Sequence, residues 1–505
     1  MAANKKARDL HIDVEDPVIK KRNLWFYPLG TVGRDMVYNM FTSFIYLYVL
    51  YTKELTDKQI VAITAIMVAA RIFDAFNDPI MGNIIERTRT KWGKFKPWLL
   101  IGVVSTSIVL YLAFNSKLTG WKFVTFFGII YFSYSITYTM NDIAYWGMVP
   151  ALSRTGDSRN QFTSRTTLFA GVGGTLAGML IPMFTAGSMQ IGGNASTAYG
   201  VIALVIAILA PLFIMFTLFG VQENRDDMAK PAEKVSFKLI IGTIFGNDQL
   251  RWMVLIFLLQ QIGNAVVIGG IGANYVYFRY GYEGGLYSLF STIGVAATAF
   301  LMLFYPAISR KLRRKEFMKI LCFIAAGGYI LMMISGLLLP ANMIAFWVLT
   351  IGYMLSAFGM YGFYLIMMIS IFNTVEYNEL TKGRRDEGII TSIRPFITKL
   401  GSAIVVVITS LCYLLFRVTD YTNQIASLEQ QANLSEITTE VKNAEIDKVI
   451  GLVENGQANG MLLFMTIIPF ALLLASYFLY IRKYKLDEDR YEEIVAELEK
   501  RKERS

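Results

Sequence analysis

Two short stretches place ionisable side chains at helical spacing inside otherwise apolar sequence. In Arg71-Ile72-Phe73-Asp74-Ala75-Phe76-Asn77-Asp78-Pro79, steps of three and four put Arg71, Asp74 and Asp78 on one helical face, with Asn77 beside them. Two carboxylates one turn apart in a low dielectric do not both stay ionised without something positive between them. Asp74, Asp78 and Asn77 offer oxygen ligands to a Na⁺-like cation, and a shared proton would serve equally. The plainer alternative is an Arg71–Asp74 salt bridge that only fixes helix packing, although one arginine does not balance two carboxylates. In Thr137-Tyr138-Thr139-Met140-Asn141-Asp142-Ile143-Ala144-Tyr145-Trp146-Gly147, the residues Thr139, Asp142 and Trp146 share a face. A carboxylate with an indole one turn away suits a sugar: the ring's apolar face stacks on the indole while hydroxyls donate to the carboxylate. Taken alone, Trp146 is more often a packing or interface residue.

Further charges lie in the same kind of surroundings. Arg34-Asp35 stand about eleven residues into the first apolar segment, or near mid-membrane at a rise of about 1.5 Å per residue. Arg165 opens the fifth segment, and Arg394 and Lys399 lie in the eleventh. A charge at a bilayer centre costs about 3 kcal/mol on insertion scales, so each of these needs a partner or a task. Lys399 has about twelve helical residues before it, which makes snorkelling to an interface difficult and a buried partner the expectation.

The elements that must hold these residues are membrane helices. The chain has 505 residues, 54% of them hydrophobic and only 17% charged, against about 25% charged in soluble domains. Twelve apolar segments are long enough to span a bilayer: 23–51, 57–86, 97–115, 120–150, 161–187, 197–221, 249–281, 284–310, 316–339, 342–374, 387–417 and 459–483. The net charge of +10 is concentrated in alternate connections: Lys5, Lys6, Arg8 and Lys20–Arg22 before the first segment; Arg87–Lys96 after the second; Arg154 and Arg159 after the fourth; Arg225–Lys238 after the sixth; Arg310–Lys315 after the eighth; Lys382–Arg385 after the tenth; and Arg482–Lys485 after the last. By the positive-inside rule both termini are cytoplasmic and the number of spans is even. The basic charge therefore implies no nucleic acid. The first twenty-two residues are charged and lack the apolar core of a cleavable signal. His11 is the single histidine and lies in that tail, while Cys322 and Cys412 lie in apolar runs; neither a zinc site nor a Ser-His-Asp triad is expected.

The organisation expected is a cytoplasmic tail (1–22), a six-helix half (23–221), a cytoplasmic middle loop (222–248), a second six-helix half (249–483) and a cytoplasmic C-terminal segment (484–505). Both halves carry a basic loop after their second helix, a faint internal repeat of the kind secondary transporters show. The insertion 418–458 repeats Leu428, Ile437, Val441, Ile446, Val449 and Leu452 at loosely helical spacing. It reads as a helical hairpin or cap on the outer face, or as a tolerated surface insertion. Residues 486–505 place Leu486, Tyr491, Ile494 and Leu498 on one face of a solvated helix that packs on the bundle.

The run Ala70–Gly82, continuing through Trp92-Gly93-Lys94-Phe95-Lys96-Pro97-Trp98, resembles the signature of the glycoside–pentoside–hexuronide:cation symporters, major-facilitator-fold transporters typified by the melibiose permease. The run around Asn141-Asp142 and the stretch Val375–Ala403 are similar too, and the likeness covers nearly the whole chain outside 418–458. The resemblance implies an all-α membrane protein of twelve helices in two halves around a central cavity. It implies a coupling cation, Na⁺ or H⁺, at Asp74 and Asp78, supported by Asn77 and Thr139. It also implies sugar binding at Asp35, Arg34, Asp142 and Trp146, with Lys399 near both sites. Arg165 is the one candidate for the family's arginine on helix five, and Tyr364 stands where a helix-ten aromatic is expected. Pro395 replaces a polar residue of melibiose-type members, so melibiose itself is not the expected substrate. The expectation is a secondary transporter in a bacterial cell membrane, not an enzyme. It would need no cofactor beyond its coupling ion, and its partners would be a small sugar, a monovalent cation and the bilayer. The sugar, the ion and the oligomeric state stay open. The rival is a Na⁺-coupled carrier of an amphiphile such as a lysolipid on the same fold, whose pocket would be apolar. A membrane-embedded enzyme or sensor lacks a metal triad or a nucleophile–base pair to support it.

Overall fold

The computed structural model describes residues 12–224, 237–309, 311–384 and 387–503. His11 and the basic tail before it, residues 225–236 of the middle loop, Arg310 and Arg385 lie outside the described residues. The first six long helices are α1 (Pro17–Thr52), α2 (Asp57–Arg87), α3 (Lys96–Phe114), α4 (Gly120–Leu152), α5 (Gly156–Thr185) and α6 (Ala195–Gly220). A short α7 (Phe237–Gly246) precedes α8 (Asp248–Val266), which runs through a π-turn at Val267–Ile271 into α9 (Gly272–Tyr280). There follow α10 (Gly284–Ser309), α11 (Arg314–Leu337), α12 (Met343–Lys382), α13 (Glu387–Leu415), α14 (Val418–Asn433), α15 (Thr439–Gly451), α16 (Asn455–Lys483) and α17 (Glu488–Glu503).

Among the described residues, eleven helices are long and apolar enough to cross a membrane. The thirty-six-residue α1 is as long as any span needs, but Arg34 and Asp35 interrupt its apolar run. The helices begin where the sequence places caps. Asp16 accepts from Val18 N at 3.0 Å and Ile19 N at 3.1 Å, with Pro17 at the first helical position. Thr56 and Gln59 form a capping box on α2. The forty-residue α12 stops at Gly383, whose φ of 68° only glycine adopts at little cost.

The chain forms two compact units, one of residues 1–234 with 422–445, the other of 235–421 with 446–505. In the first, α1 packs on α5 and α6, α3 on α4 and α6, and α2 on α4. In the second, α8 packs on α13 and α16, α11 on α12 and α16, and α10 on α12. Taking α8, α10, α11, α12, α13 and α16 as counterparts of α1 to α6, the same five pairs recur. The sequence repeat is faint, but the five principal helix pairings recur. Contact is close where glycines permit it: a Cβ on Gly33 of α1 would lie 2.6 Å from Ala210 Cα of α6.

Both hydrophilic stretches are helical. The insertion folds as the hairpin α14–α15. Helix α17 buries Ile494 and Leu498, the residue Leu486 just before it is buried too, and this segment is tied to α11 by Arg314–Glu488 at 2.9 Å and Lys315–Asp487 at 3.1 Å.

Candidate functional site

In the first unit the polar groups of α1, α2 and α4 fall into two adjoining clusters. The first lies between α2 and α4. Arg71 reaches Asp74 across one turn at 3.7 Å. Ser135 of α4 donates to Asp74, Thr139 donates to Asp78 at 3.2 Å, and Asn77 Nδ2 donates to the Ser135 carbonyl at 3.5 Å. The Arg71–Asp74 bridge weighed from the sequence is thus formed, but it engages one of the two carboxylates. Each carboxylate also receives a hydroxyl from the facing helix, which gathers carboxylate, hydroxyl and amide oxygens in one place. That donor set suits a small hard cation or a proton.

The second cluster lies one turn further along α4. Arg34 of α1 gives both Nε, at 3.1 Å, and Nη2, at 2.8 Å, to the same Asp35 oxygen. Its Nη1 stands 3.2 Å from Asp142 Oδ1. The guanidinium also lies 4.9 Å from the Tyr145 ring centre and 5.3 Å from that of Trp146. Tyr27 and Tyr145 lock α1 to α4 beneath it. Their rings stack at 4.5 Å, Tyr27 donates to the Tyr145 carbonyl at 2.6 Å, and Tyr145 donates back to the Tyr27 carbonyl. The arginine is 5% exposed, whereas Asp142 is 37% exposed at its side chain and Trp146 36% exposed. A fixed buried cation therefore holds a carboxylate and an indole that both present open surface. This is the arrangement a polyhydroxylated ring needs, with acceptors to receive hydroxyls and an aromatic face to stack on.

Arg165, also in the first unit, does not join these clusters. Arg165 is exposed, donates to the Leu24 carbonyl at 3.5 Å and lies 5.7 Å from the Trp25 ring. Leu24 is ten residues before Arg34, or about 15 Å along α1. Lys399 and Tyr364 belong to the second unit. Tyr364 lies under Arg394 at 5.6 Å and beside Tyr361 and Phe257, while Lys399 is partly buried on α13, its carbonyl accepting from Ser402 at 2.7 Å. Ser135 was not singled out from the sequence, although it stands four residues before Thr139 and seven before Asp142 on the same face of α4.

Residues 26–488 match the family described as MFS/sugar transport protein. The chain belongs to this sugar transport family. Lactose permease of Lactobacillus helveticus is 27% identical over 492 residues, covering 93% of this chain and 70% of its own length. The raffinose carrier protein of Pediococcus pentosaceus is 26% identical, with 94% and 71% covered. Among solved structures, an inward-facing bacterial homologue of the human lysosomal transporter Spinster superposes with a TM-score of 0.59 at 13% identity, covering 93% of this chain and 99% of its own. A D-xylose–proton symporter gives 0.57 at 14% identity, covering 82% and 97%. At such identities the likeness speaks for the fold. The sugar transport family protein is thus a multi-pass membrane transporter rather than an enzyme.

Proposed function

We propose that this member of the family is a sugar:cation symporter for di- or trisaccharides of the size of lactose and raffinose, with both termini cytoplasmic. The observation that carries the reading is the adjacency on α4 of Thr139, which contacts Asp78, and Asp142, which contacts Arg34. Three residues, or about 4.5 Å of helix, separate a cation site from a sugar site. A cation drawn to Asp74, Asp78, Asn77, Ser135 and Thr139 fixes α2 against α4 and thereby sets Asp142 and Trp146 for the sugar. Asp35, Asp142 and Trp146 take the ring, and Arg34 holds the two carboxylates apart. Lys399, Tyr364 and Arg165 enter through the family resemblance. Alternating access of the site follows from motion of the two repeats. The polar surface at Asp142 supports a sugar over an amphiphile.

The test is uptake of labelled lactose, raffinose and a wider sugar panel into proteoliposomes, driven in turn by a Na⁺ gradient and a pH gradient. One of the two gradients drives accumulation above equilibrium. Asp74→Asn and Asp78→Asn abolish that accumulation and leave at most downhill exchange. Undiminished gradient-driven accumulation in both variants would overturn the cation site.

A further inference from the structure

The first unit also carries an apolar groove that the polar clusters do not use. It lies between the start of α1 and the C-terminal half of α6. Its volume is about 640 Å³, within the roughly 300–1,000 Å³ of sites that take one small molecule. On α6 it runs from Leu209 to Gly220, and Phe26 of α1 closes its side. Leu212, Met215, Phe216 and Phe219 follow one another at steps of three, one and three, so they share one face of α6. All four are exposed, Phe219 by 72%. Gly220 makes the fit, because a Cβ there would collide with the Phe26 ring. Glycine lets that ring settle over the end of α6, 6.2 Å from the ring of Phe216.

Depth and charge name the occupant. Helix α6 is long and apolar enough to cross a membrane, and Gly220 is its last residue. The groove thus begins at a membrane surface and ends at Leu209, about 16 Å along the helix axis. That is one leaflet of a hydrocarbon core about 30 Å thick, not the whole of it. A second membrane helix would take a face along the entire span, whereas a ligand that stops at mid-membrane is an acyl chain. At the surface end stands Arg22, the one charged residue among the described residues that line the groove. It is exposed, its Nη2 donates to the Phe219 carbonyl at 3.3 Å, and its guanidinium lies 5.9 Å from the Phe26 ring centre. A guanidinium has five N–H donors, so this bond fixes it at the mouth and leaves donors for a phosphate. The last carbonyls of α6, which would repel an anion, are covered as well: Lys96 donates to those of Leu218 and Val221, each at 2.8 Å. Lys20 is spent on Glu15 at 2.9 Å, but Lys21 is exposed beside Arg22. Such a basic run at a membrane surface attracts anionic headgroups.

We propose that the α1–α6 groove binds one anionic phospholipid, with an acyl chain along the apolar stripe of α6 and the phosphate on Arg22. The test uses the full-length protein, purified in detergent and stripped of lipid. It is titrated with phosphatidylglycerol, phosphatidylcholine or glycerol phosphate, and native mass spectrometry counts what stays bound. The parent protein holds one phosphatidylglycerol about tenfold more tightly than phosphatidylcholine, the worth of a hydrogen bond to a charged group. Glycerol phosphate does not compete, because it lacks the chain. Arg22→Gln binds both lipids equally, at the weaker affinity, and Arg22→Lys restores most of the preference. Leu212→Trp fills the groove and loses the tightly held lipid. Equal retention of the two lipids by the parent, or a preference unchanged in Arg22→Gln, overturns the proposal. Glycerol phosphate bound as tightly as phosphatidylglycerol would make this a site for free anions. A dimer that carries no lipid and is broken by Leu212→Trp would make the groove an interface between two copies of the chain. Either result overturns the lipid. Should Leu212→Trp fail to fold, Arg22→Gln and its lysine counterpart decide the matter. No sugar or coupling ion enters these measurements, so their outcome is independent of what the protein transports.

Discussion

Asp74 and Asp78 each meet a hydroxyl across the α2–α4 interface, Ser135 for Asp74 and Thr139 for Asp78, and Ser135 engages Asn77 as well. Its hydroxyl donates to Asp74 while its carbonyl accepts from Asn77. A hydroxyl can turn its lone pairs toward a bound ion, so Ser135 becomes a ligand when a cation replaces its proton contact. Ser135→Ala therefore lowers cation affinity about fivefold, the value of roughly 1 kcal/mol for one neutral hydrogen bond. Sugar affinity at saturating cation stays within about twofold. Titration calorimetry on purified protein gives both numbers, and an unchanged cation affinity would remove Ser135 from the site. The carboxylates were legible in the sequence because a charge inside an apolar run stands out. Serine does not stand out, since within a membrane helix it commonly bonds its own backbone, as Ser133 does to the Ile129 carbonyl at 2.8 Å. Only its place in the stripe Ser135, Thr139, Asp142 and Trp146 could have signalled it. The Arg34–Asp142 contact was equally hidden, because spacing along one helix says nothing of which carboxylate on another helix it will meet.

Helix ends show which parts of the fold can be read from local chemistry. The expected start of the fifth span at 161 falls five residues inside α5, which begins at Gly156. The polar first turn, Gly156-Asp157-Ser158-Arg159-Asn160, carries no apolar signal, and its helicity is set by capping. Thr155 accepts from Ser158 N at 3.1 Å, and Glu15, from the segment before α1, accepts from Arg154 N at 2.9 Å and Thr155 N at 3.3 Å. Burial pushes the Glu15 carboxyl up, but Lys20 and these N–H donors outweigh it and hold the pKa down to about 2. A depressed carboxylate contributes its stability above its ordinary value near 4.5 and loses it as pH falls toward about 2. Exchange at Arg154–Ser158 is accordingly slow at pH 6 and rises, after correction for intrinsic rates, between pH 4.5 and 2.5. Glu15→Gln brings the faster exchange to pH 6 and destabilises the α5 start by about 1 kcal/mol. An identical pH profile in parent and variant would show that Glu15 does not brace α5. The hairpin's helicity was visible in its loosely periodic apolar residues. Its buried ion pair was not, because Glu429 and Lys442 look like any pair of solvent-facing charges until Gln190 and Ala195 close around them.

The whole molecule repeats one packing scheme in two units, and the polar clusters described in detail lie in one of them, which bears on how coupling is built. Thr139 and Asp142 are carried by one rigid helix, so a ligand at either alters the cost of ordering the other. Thermodynamic linkage then requires a single coupling factor: the cation raises sugar affinity by the same ratio as the sugar raises cation affinity, within the 5- to 150-fold range usual for such coupling. Calorimetry of sugar binding with and without the cation, and of cation binding with and without the sugar, gives the ratio twice. Asp74→Asn sharpens the test. With one carboxylate neutralised, the sugar still meets Asp35, Asp142 and Trp146, so it binds at the affinity of the cation-free parent protein and ignores added cation. If sugar binding instead vanished in Asp74→Asn while the variant kept the parent's melting temperature, Asp74 would have to touch the sugar itself. Two adjoining clusters would then be one site, and the α4 stripe would carry no message from one ligand to the other.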